Sequence, residues 1–204
     1  MSFVLVRHGE TDGNRDRIVQ VPETPLNSKG LAQATSVAER LRNDLEGSPV
    51  RIVASDLARA AMTAEPIARA LGLEIEWMPL LQERNFGDLR GQRYDDIGLD
   101  IMAPGYEPPA GESWEAFDAR VTEAWSALCT LFTRGETIIA VSHGLVCRSL
   151  ARHHFTLEGL EAPDRWGNTA VSVVSRHEPY EAVLLNCTRH LEDDLADGGH
   201  LSGL

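Results

Sequence analysis

Two histidines in this chain each close an apolar run and each precede a glycine. They stand in Val6-Arg7-His8-Gly9 and in Val141-Ser142-His143-Gly144. A third run ends Ala54-Ser55-Asp56, with Arg59 about one turn into the helix expected after it. Arginine presents a planar fork of donors that matches phosphate oxygens. A neutral imidazole is a nucleophile toward phosphorus. Two arginines and two histidines brought together therefore make a receptor for a tetrahedral oxyanion. Phosphoryl transfer to histidine also needs a proton donor for the departing oxygen. Glu10, Glu83, Glu112 and several aspartates are candidates, and composition and spacing do not choose among them. Gly9 and Gly144 would let a ligand approach the backbone closely. Helix N-termini at these turns would offer unpaired N–H groups to an anion.

For these residues to meet, the elements carrying them must lie side by side. Residues 3–6, 50–54 and 137–142 read as buried strands, with a short strand at 73–78 and two more near 170–175 and 182–186. Between them, Leu31, Ala34, Val37, Leu41 and Leu45 mark one helical stripe, with Ser28 as its cap. Leu57, Ala60, Ala64, Ile67 and Leu71 mark a second, starting at Ser55 and Asp56 and stopped by Gly72. Ser113 caps a long helix bearing Phe117, Val121, Trp125, Leu128 and Phe132, and a last helix runs over 145–153. Residues 10–27, with Pro22 and Pro25, read as loop with one short turn. Residues 80–111 show weak periodicity broken by Gly and Pro, which marks a lid or specificity segment around 88–112. Alternating strands and helices predict a three-layer α/β/α sandwich on a mostly parallel sheet. The short link between the last two strands requires an antiparallel pair, so the sheet is mixed. In such a sheet the binding crevice lies beyond the carboxyl ends of the strands, where Arg7, His8, Arg59 and His143 all fall.

Residues 1–191 are expected to form a single domain, followed by an acidic, flexible tail over 192–204. The net charge of -12 argues against nucleic acid and anionic membranes as partners. It leaves room for a small anion held by a few converging arginines. Cys129, Cys147 and Cys187 match neither a zinc pattern nor a redox pair, and read as thiols in a reducing compartment. No apolar run is long enough to span a bilayer, and the N-terminus lacks a signal-peptide pattern, so the cytoplasm is the expected location.

The blocks taken together resemble the histidine phosphatase superfamily, the phosphoglycerate mutase-like enzymes. Arg7-His8-Gly9-Glu10-Thr11 with Asn14 is similar to its signature. Ser55 to Ala60 is similar to the segment of its second phosphate-binding arginine, and Leu81-Gln82-Glu83-Arg84-Asn85-Phe86-Gly87 to that of its acid. Pro109-Ala110-Gly111-Glu112-Ser113, Val141 to Gly144 and Gly167-Asn168-Thr169-Ala170 follow in family order, and the resemblance covers nearly the whole chain. It implies His8 as the nucleophile, forming a phosphohistidine. Arg7, Asn14, Arg59 and His143 would hold the phosphate, and Glu83 would protonate the leaving oxygen before activating water. It implies neither metal nor cofactor. The mechanism asks for a neutral His8, while His143 can remain cationic beside the phosphate. Cys187 stands where the family commonly has Asp.

The family contains hydrolases and mutases, and its mutases carry a longer insertion between the acid and the second histidine. Here Glu83 and His143 lie 60 positions apart, which favours a metal-independent phosphomonoesterase acting on a small metabolite. A mutase and a non-catalytic phospho-ligand-binding module are the rival readings, and a homodimer is the assembly considered. Glu10 and Thr11 read as loop supports. Glu76 and Asp88 are the nearby alternatives to Glu83. His153 and His154 point about 100° apart on a helix and do not suit a shared metal. His177, His190 and His200 read as surface or locally bonded residues. Trp77, Trp114, Trp125 and Trp166 read as core or lid packing.

Overall fold

The computed structural model describes residues 2–132, 135–192 and 194–196. Six strands, β1 (Ser2–Arg7), β2 (Val50–Ala54), β3 (Ile75–Trp77), β4 (Thr137–Ser142), β5 (Val171–Ser175) and β6 (Ala182–Cys187), form one sheet. Their order is β3-β2-β4-β1-β5-β6. The first four are parallel, while β5 runs antiparallel to β1 and to β6, giving the expected mixed sheet. The helices are α1 (Asp12–Arg15), α2 (Ser28–Asp44), α3 (Ala58–Leu71), α4 (Tyr94–Ile97), α5 (Trp114–Leu131) and α6 (Gly144–His153).

The apolar runs in the central strands are continuous because both faces of the sheet are covered. Val4, Val6, Ile52, Ala54, Ile139 and Val141 face Val37, Ala38 and Leu41 of α2 and Ala60, Ala64 and Ile67 of α3. The alternate residues Phe3, Leu5, Val53, Ile138 and Ala140 face Phe117, Val121, Trp125 and Leu128 of α5 and Val146 and Leu150 of α6. This is the α/β/α sandwich.

Several local expectations shift. Leu31 lies outside the buried stripe of α2, 48% exposed, because Gly30 rather than Leu31 is pressed against the loop after β1. Asn27, not Ser28, caps α2, its Oδ1 accepting from Gly30 N–H at 2.8 Å. Helix α3 begins at Ala58 with Leu57 as its extended N-cap, while Ser55 N–H still donates to Val141 O of β4 at 3.0 Å. Strand β3 spans only three residues at the sheet edge. Ser113 does cap α5, accepting from Ala116 N–H at 3.1 Å. Of segment 192–204, Leu195 and Ala196 lend their carbonyls to Gln33 Nε2 and Lys29 Nζ of α2. Residues 193 and 197–204, His200 among them, lie outside the described residues.

Candidate active site

Neighbouring β1 and β4 are parallel, with Arg7 opposite Ser142. The next residues, His8 and His143, are therefore side by side. His8 N–H donates to Ser142 O at 2.9 Å, and the two imidazole rings lie 5.2 Å apart. From β1 the chain leads to α2 on one face of the sheet; from β4 it leads to α6 on the other. Strands whose connections diverge in this way leave a crevice between their carboxyl ends. His8 lines it, and His143 lies fully buried beside His8.

Both rings are buried. His8 Nδ1 lies 2.7 Å from Gly9 O. A carbonyl only accepts, so Nδ1 carries the proton and Nε2 of the neutral ring keeps its lone pair. Burial, then Arg59 and Arg7, holds the His8 pKa well below the usual histidine value, outweighing the Gly9 carbonyl. The His8 backbone carbonyl accepts from Asn168 Nδ2 at 3.0 Å and Thr169 N–H at 3.2 Å, so a turn before β5 locks the residue from behind. His143 Nε2 is 2.8 Å from Ser55 Oγ, while its buried Nδ1 has no partner among the described residues. Burial, then Arg59, His8 and Arg7, also lowers its pKa well below the ordinary range. The cationic His143 expected from the mechanism is thus not the resting state. Two neighbouring arginines disfavour a third positive charge until an anion offsets them.

Arg7 ends β1 and is buried, its Nη1 donating to Trp166 O. Arg59 comes from the first turn of α3, also buried, and its Nη1 donates to Val21 O at 3.2 Å. Burial pulls the Arg59 pKa down to about 10, partly resisted by Glu83, which leaves it cationic at neutral pH. Asn14 lines the same cleft. Its Oδ1 accepts from Thr11 N–H and Oγ1 and from Asn168 Nδ2. Thr11 caps α1, giving its hydroxyl to this bonding, as a loop support does.

Glu83 follows a 3₁₀ turn, Pro79–Leu81, that Ser142 Oγ ties down through Leu81 O at 2.7 Å. Its carboxylate accepts from Leu145 N–H in the first turn of α6 at 3.2 Å and from Arg84 N–H at 3.1 Å. Burial raises its pKa, more than these bonds and the arginines lower it. The other carboxylates are engaged elsewhere. Glu112 receives both a 2.7 Å Nε bond and a 2.7 Å Nη2 bond from Arg120. Burial would raise Glu112, but Arg120 and Asn85 N–H prevail and hold it ionised. Glu10 accepts from Asn27 Nδ2 and pairs with Lys29. Glu76 pairs with Arg51 on the edge strand, and the exposed Asp88 does not line the cleft.

The glycine expectation needs correction. A Cβ on Gly9 would stand 2.6 Å from Gly30 O, so this glycine admits α2 rather than a ligand. A Cβ on Gly144 would meet Arg7 Nε at 3.5 Å, an ordinary contact.

Gln20, Pro22, Leu57, Arg84, Phe86, Arg90, Tyr94 and Leu145 complete the lining and were not singled out from sequence as contacts. Arg84 is fully buried beneath the 88–112 segment. It donates to the carbonyls of Ile101, Tyr106 and Glu112, and its guanidinium lies 3.9 Å from the Trp114 ring centroid. No periodicity signals such a residue, because it serves irregular backbone. Ser55 was legible: it follows an apolar run in the same way as His8 and His143.

The remaining histidines diverge from the cleft. His153 lies 3.6 Å from Asp118, while His154 meets Thr122 and stacks on Trp125. His177 is bonded locally to Arg176, and His190 sits between Arg40 and Thr169. Trp125 and Trp166 are buried, Trp114 donates to Ala103 O in the 88–112 segment, and Trp77 is 48% exposed. Among the described residues, no group of three or more His, Cys, Asp or Glu side chains could hold a metal ion.

Comparison with known proteins gives this geometry relatives. The chain is 36% identical over 172 residues, 79% of its length and 77% of the relative's, to "Probable phosphoglycerate mutase GpmB" of Enterobacter sp. (strain 638). It is 32% identical over 215 aligned positions, 99% of this chain and 84% of the relative, to the metal-independent phosphoserine phosphatase of Arabidopsis thaliana. Its structure matches the alpha-ribazole phosphatase of Shigella flexneri with a TM-score of 0.75 at 26% identity, covering 92% of this chain and 97% of that one. The family profile of the histidine phosphatase superfamily (branch 1) matches residues 3–188. With that span covering both histidine turns and the acid between them, the chain belongs to the histidine phosphatase superfamily, branch 1.

Proposed function

We propose that the protein is a metal-independent phosphomonoesterase that hydrolyses a small phosphorylated metabolite through a phosphohistidine on His8. The observation that carries this reading is the His8 Nδ1–H bond to Gly9 O, which leaves Nε2 unprotonated among phosphate-binding donors. Arg7, Asn14, Arg59 and His143 Nδ1 bind the phosphoryl oxygens. His8 Nε2 attacks phosphorus while the bond from phosphorus to the ester oxygen breaks. The two buried arginines offset the charge developing on the equatorial oxygens. Glu83, whose pKa burial raises, gives its proton to the departing oxygen. Water then attacks the phosphohistidine, the P–N bond breaks, Glu83 takes a proton from the water, and orthophosphate leaves. The Arabidopsis and Shigella relatives are named as phosphatases, which supports hydrolysis.

The relatives named as phosphoglycerate mutases favour a second reading, transfer of the phosphoryl group back to another hydroxyl. Incubation of the chelated protein with a panel of phosphomonoesters separates the two: orthophosphate supports hydrolysis, a positional isomer supports the mutase. Ligand binding with neither product would support a binding module.

No helix of the described residues is long and apolar enough to cross a membrane. The unpaired thiols Cys129, Cys147 and Cys187 support a reducing, cytoplasmic setting. Light scattering of the purified chain reads whether it forms a homodimer.

A further inference from the structure

The turn that holds His8 from behind is built on a strained residue. Thr169 has a φ of 54°, in the left-handed region, and is fully buried. A β-branched side chain disfavours that conformation, which persists only where the surroundings over-determine it. In it, Thr169 N–H donates to His8 O at 3.2 Å, and Asn168 Nδ2 donates to the same oxygen at 3.0 Å. Ala170 O accepts from Arg7 N–H at 3.2 Å. Asn168, Thr169 and Ala170 thus grip the backbone of Arg7 and His8 together.

The contacts that hold Thr169 come from the chain after β6. His190 Nδ1 lies 3.1 Å from Arg40 Nη1 of α2, and its Nε2 lies 3.0 Å from Thr169 Oγ1. A guanidinium only donates, so Nδ1 accepts and the ring proton sits on Nε2. Nε2–H therefore donates to Thr169 Oγ1, whose own proton goes to Asn168 O at 2.7 Å. Every bond from α2 to the turn then has one direction. Burial, then Arg40 and Arg189, pushes the His190 pKa down to about 4, partly resisted by Asp44, so the ring is neutral near pH 7. Arg40 is itself buried and anchored, with Nη1 donating to Cys187 O at 3.2 Å and Nε to Asp44 Oδ2 at 3.2 Å. Asn186 holds the start of the same loop. Its Oδ1 accepts from Gly167 N–H at 2.8 Å, and its Nδ2 donates to Arg165 O at 3.1 Å.

We propose that His190 is a positioning residue for the nucleophile, holding Thr169 in its left-handed conformation so that Thr169 fixes the His8 carbonyl. This role rests on the phosphomonoesterase reading and adds to it the residue that aims His8. His190 does not line the phosphate cleft. Its loss should therefore misdirect the attack on phosphorus and leave substrate binding nearly unchanged.

The test is single-turnover release of p-nitrophenolate from p-nitrophenyl phosphate with enzyme in excess, which reads the first phosphoryl transfer alone. His190→Ala should lower the maximal rate by about 10- to 100-fold and move half-saturation by less than about 3-fold. Glycine adopts a positive φ without strain, so Thr169→Gly has no need of the clamp. Adding His190→Ala to Thr169→Gly should cost less than about 3-fold more, whereas a merely structural role would cost the same in both backgrounds. A maximal rate in His190→Ala within about 3-fold of the wild type, a loss carried by half-saturation, or an equal loss in the Thr169→Gly background overturns the role alone. A wild type that hydrolyses no phosphomonoester overturns the phosphomonoesterase reading, and the role of His190 with it. Should His190→Ala fail to fold, ¹⁵N NMR of the wild type still decides: a proton on His190 Nε2 is expected, and a neutral ring protonated on Nδ1 overturns the directed chain of bonds.

Discussion

His8, buried, and Glu83, partly buried, neighbour the same two arginines, yet the proposed reaction needs opposite protonation from them. Desolvation meets both demands, because it disfavours whichever form is charged. It lowers the imidazole and raises the carboxyl. The free enzyme is then active above the lowered pKa of His8 and below the raised pKa of Glu83. A profile of kcat/KM against pH should rise at a pH below the usual histidine value and fall as Glu83 ionises. Glu83→Gln should lose that alkaline limb and about 10²- to 10⁴-fold in kcat on alkyl phosphates, with less loss on p-nitrophenyl phosphate, whose leaving group needs no proton. The same shift has a stability consequence. A carboxyl with a raised folded pKa binds more protons folded than unfolded, so stability falls as pH rises from its unfolded value through its folded one. Thermal melting should therefore show Glu83→Gln more stable than wild type at pH 8, with the difference vanishing below about pH 4, where both side chains are neutral.

At the level of elements, the site depends on how closely the loops meet the sheet ends. Gly9 faces Gly30 so tightly that Gly9→Ala must displace α2 or the turn carrying His8. The expected cost is about 1–3 kcal/mol by denaturant unfolding, with a loss of turnover that exceeds the change in substrate binding. Arg84→Met removes the bonds that tie the carbonyls of Ile101, Tyr106 and Glu112 to the acid's own segment. Backbone hydrogen exchange should accelerate there and remain unchanged in β1 and β4. These contacts also show why some of the site was legible and some was not. His8, His143 and Ser55 each follow an apolar run, and the strand-end rule finds them because parallel strands align their carboxyl ends. Arg59 was within reach through helix phase. Glu83 sits on irregular backbone, and only its resemblance to a known motif separated it from Glu10 and Glu112. Arg84 comes from irregular backbone, and Gln20, Arg90 and Tyr94, which opens the four-residue α4, flank the isolated pairing of Ile18 with Arg93, which leaves no periodic trace. The role of Gly9 was misjudged for the same reason: a close approach by a distant glycine is invisible in local sequence.

Over the whole molecule, an acidic exterior surrounds a cleft lined by four arginines. The outer charge of -12 should slow capture of a phosphomonoester, and that repulsion is screened by salt over about 10 Å at 0.1 M. Raising ionic strength from about 0.01 to 0.1 M should thus raise kcat/KM, and a fall would show that the cleft's own field governs capture instead. Incubation with a strong chelator should leave turnover unchanged, since every proposed step is assigned to a side chain of the chain itself. The sandwich as a whole was readable because its strands and helices obey separate periods. The edges were less so: β3 is shorter than its apolar stretch, and α3 starts later than its caps implied. The central claim is that phosphorus passes through His8. Rapid quenching of the enzyme with a ³²P-labelled substrate, followed by peptide mapping, tests it most directly. The account predicts acid-labile, alkali-stable label on the peptide containing His8, absent from His8→Ala, which should also lose turnover. Label confined to another residue, or undiminished turnover by His8→Ala, would contradict it.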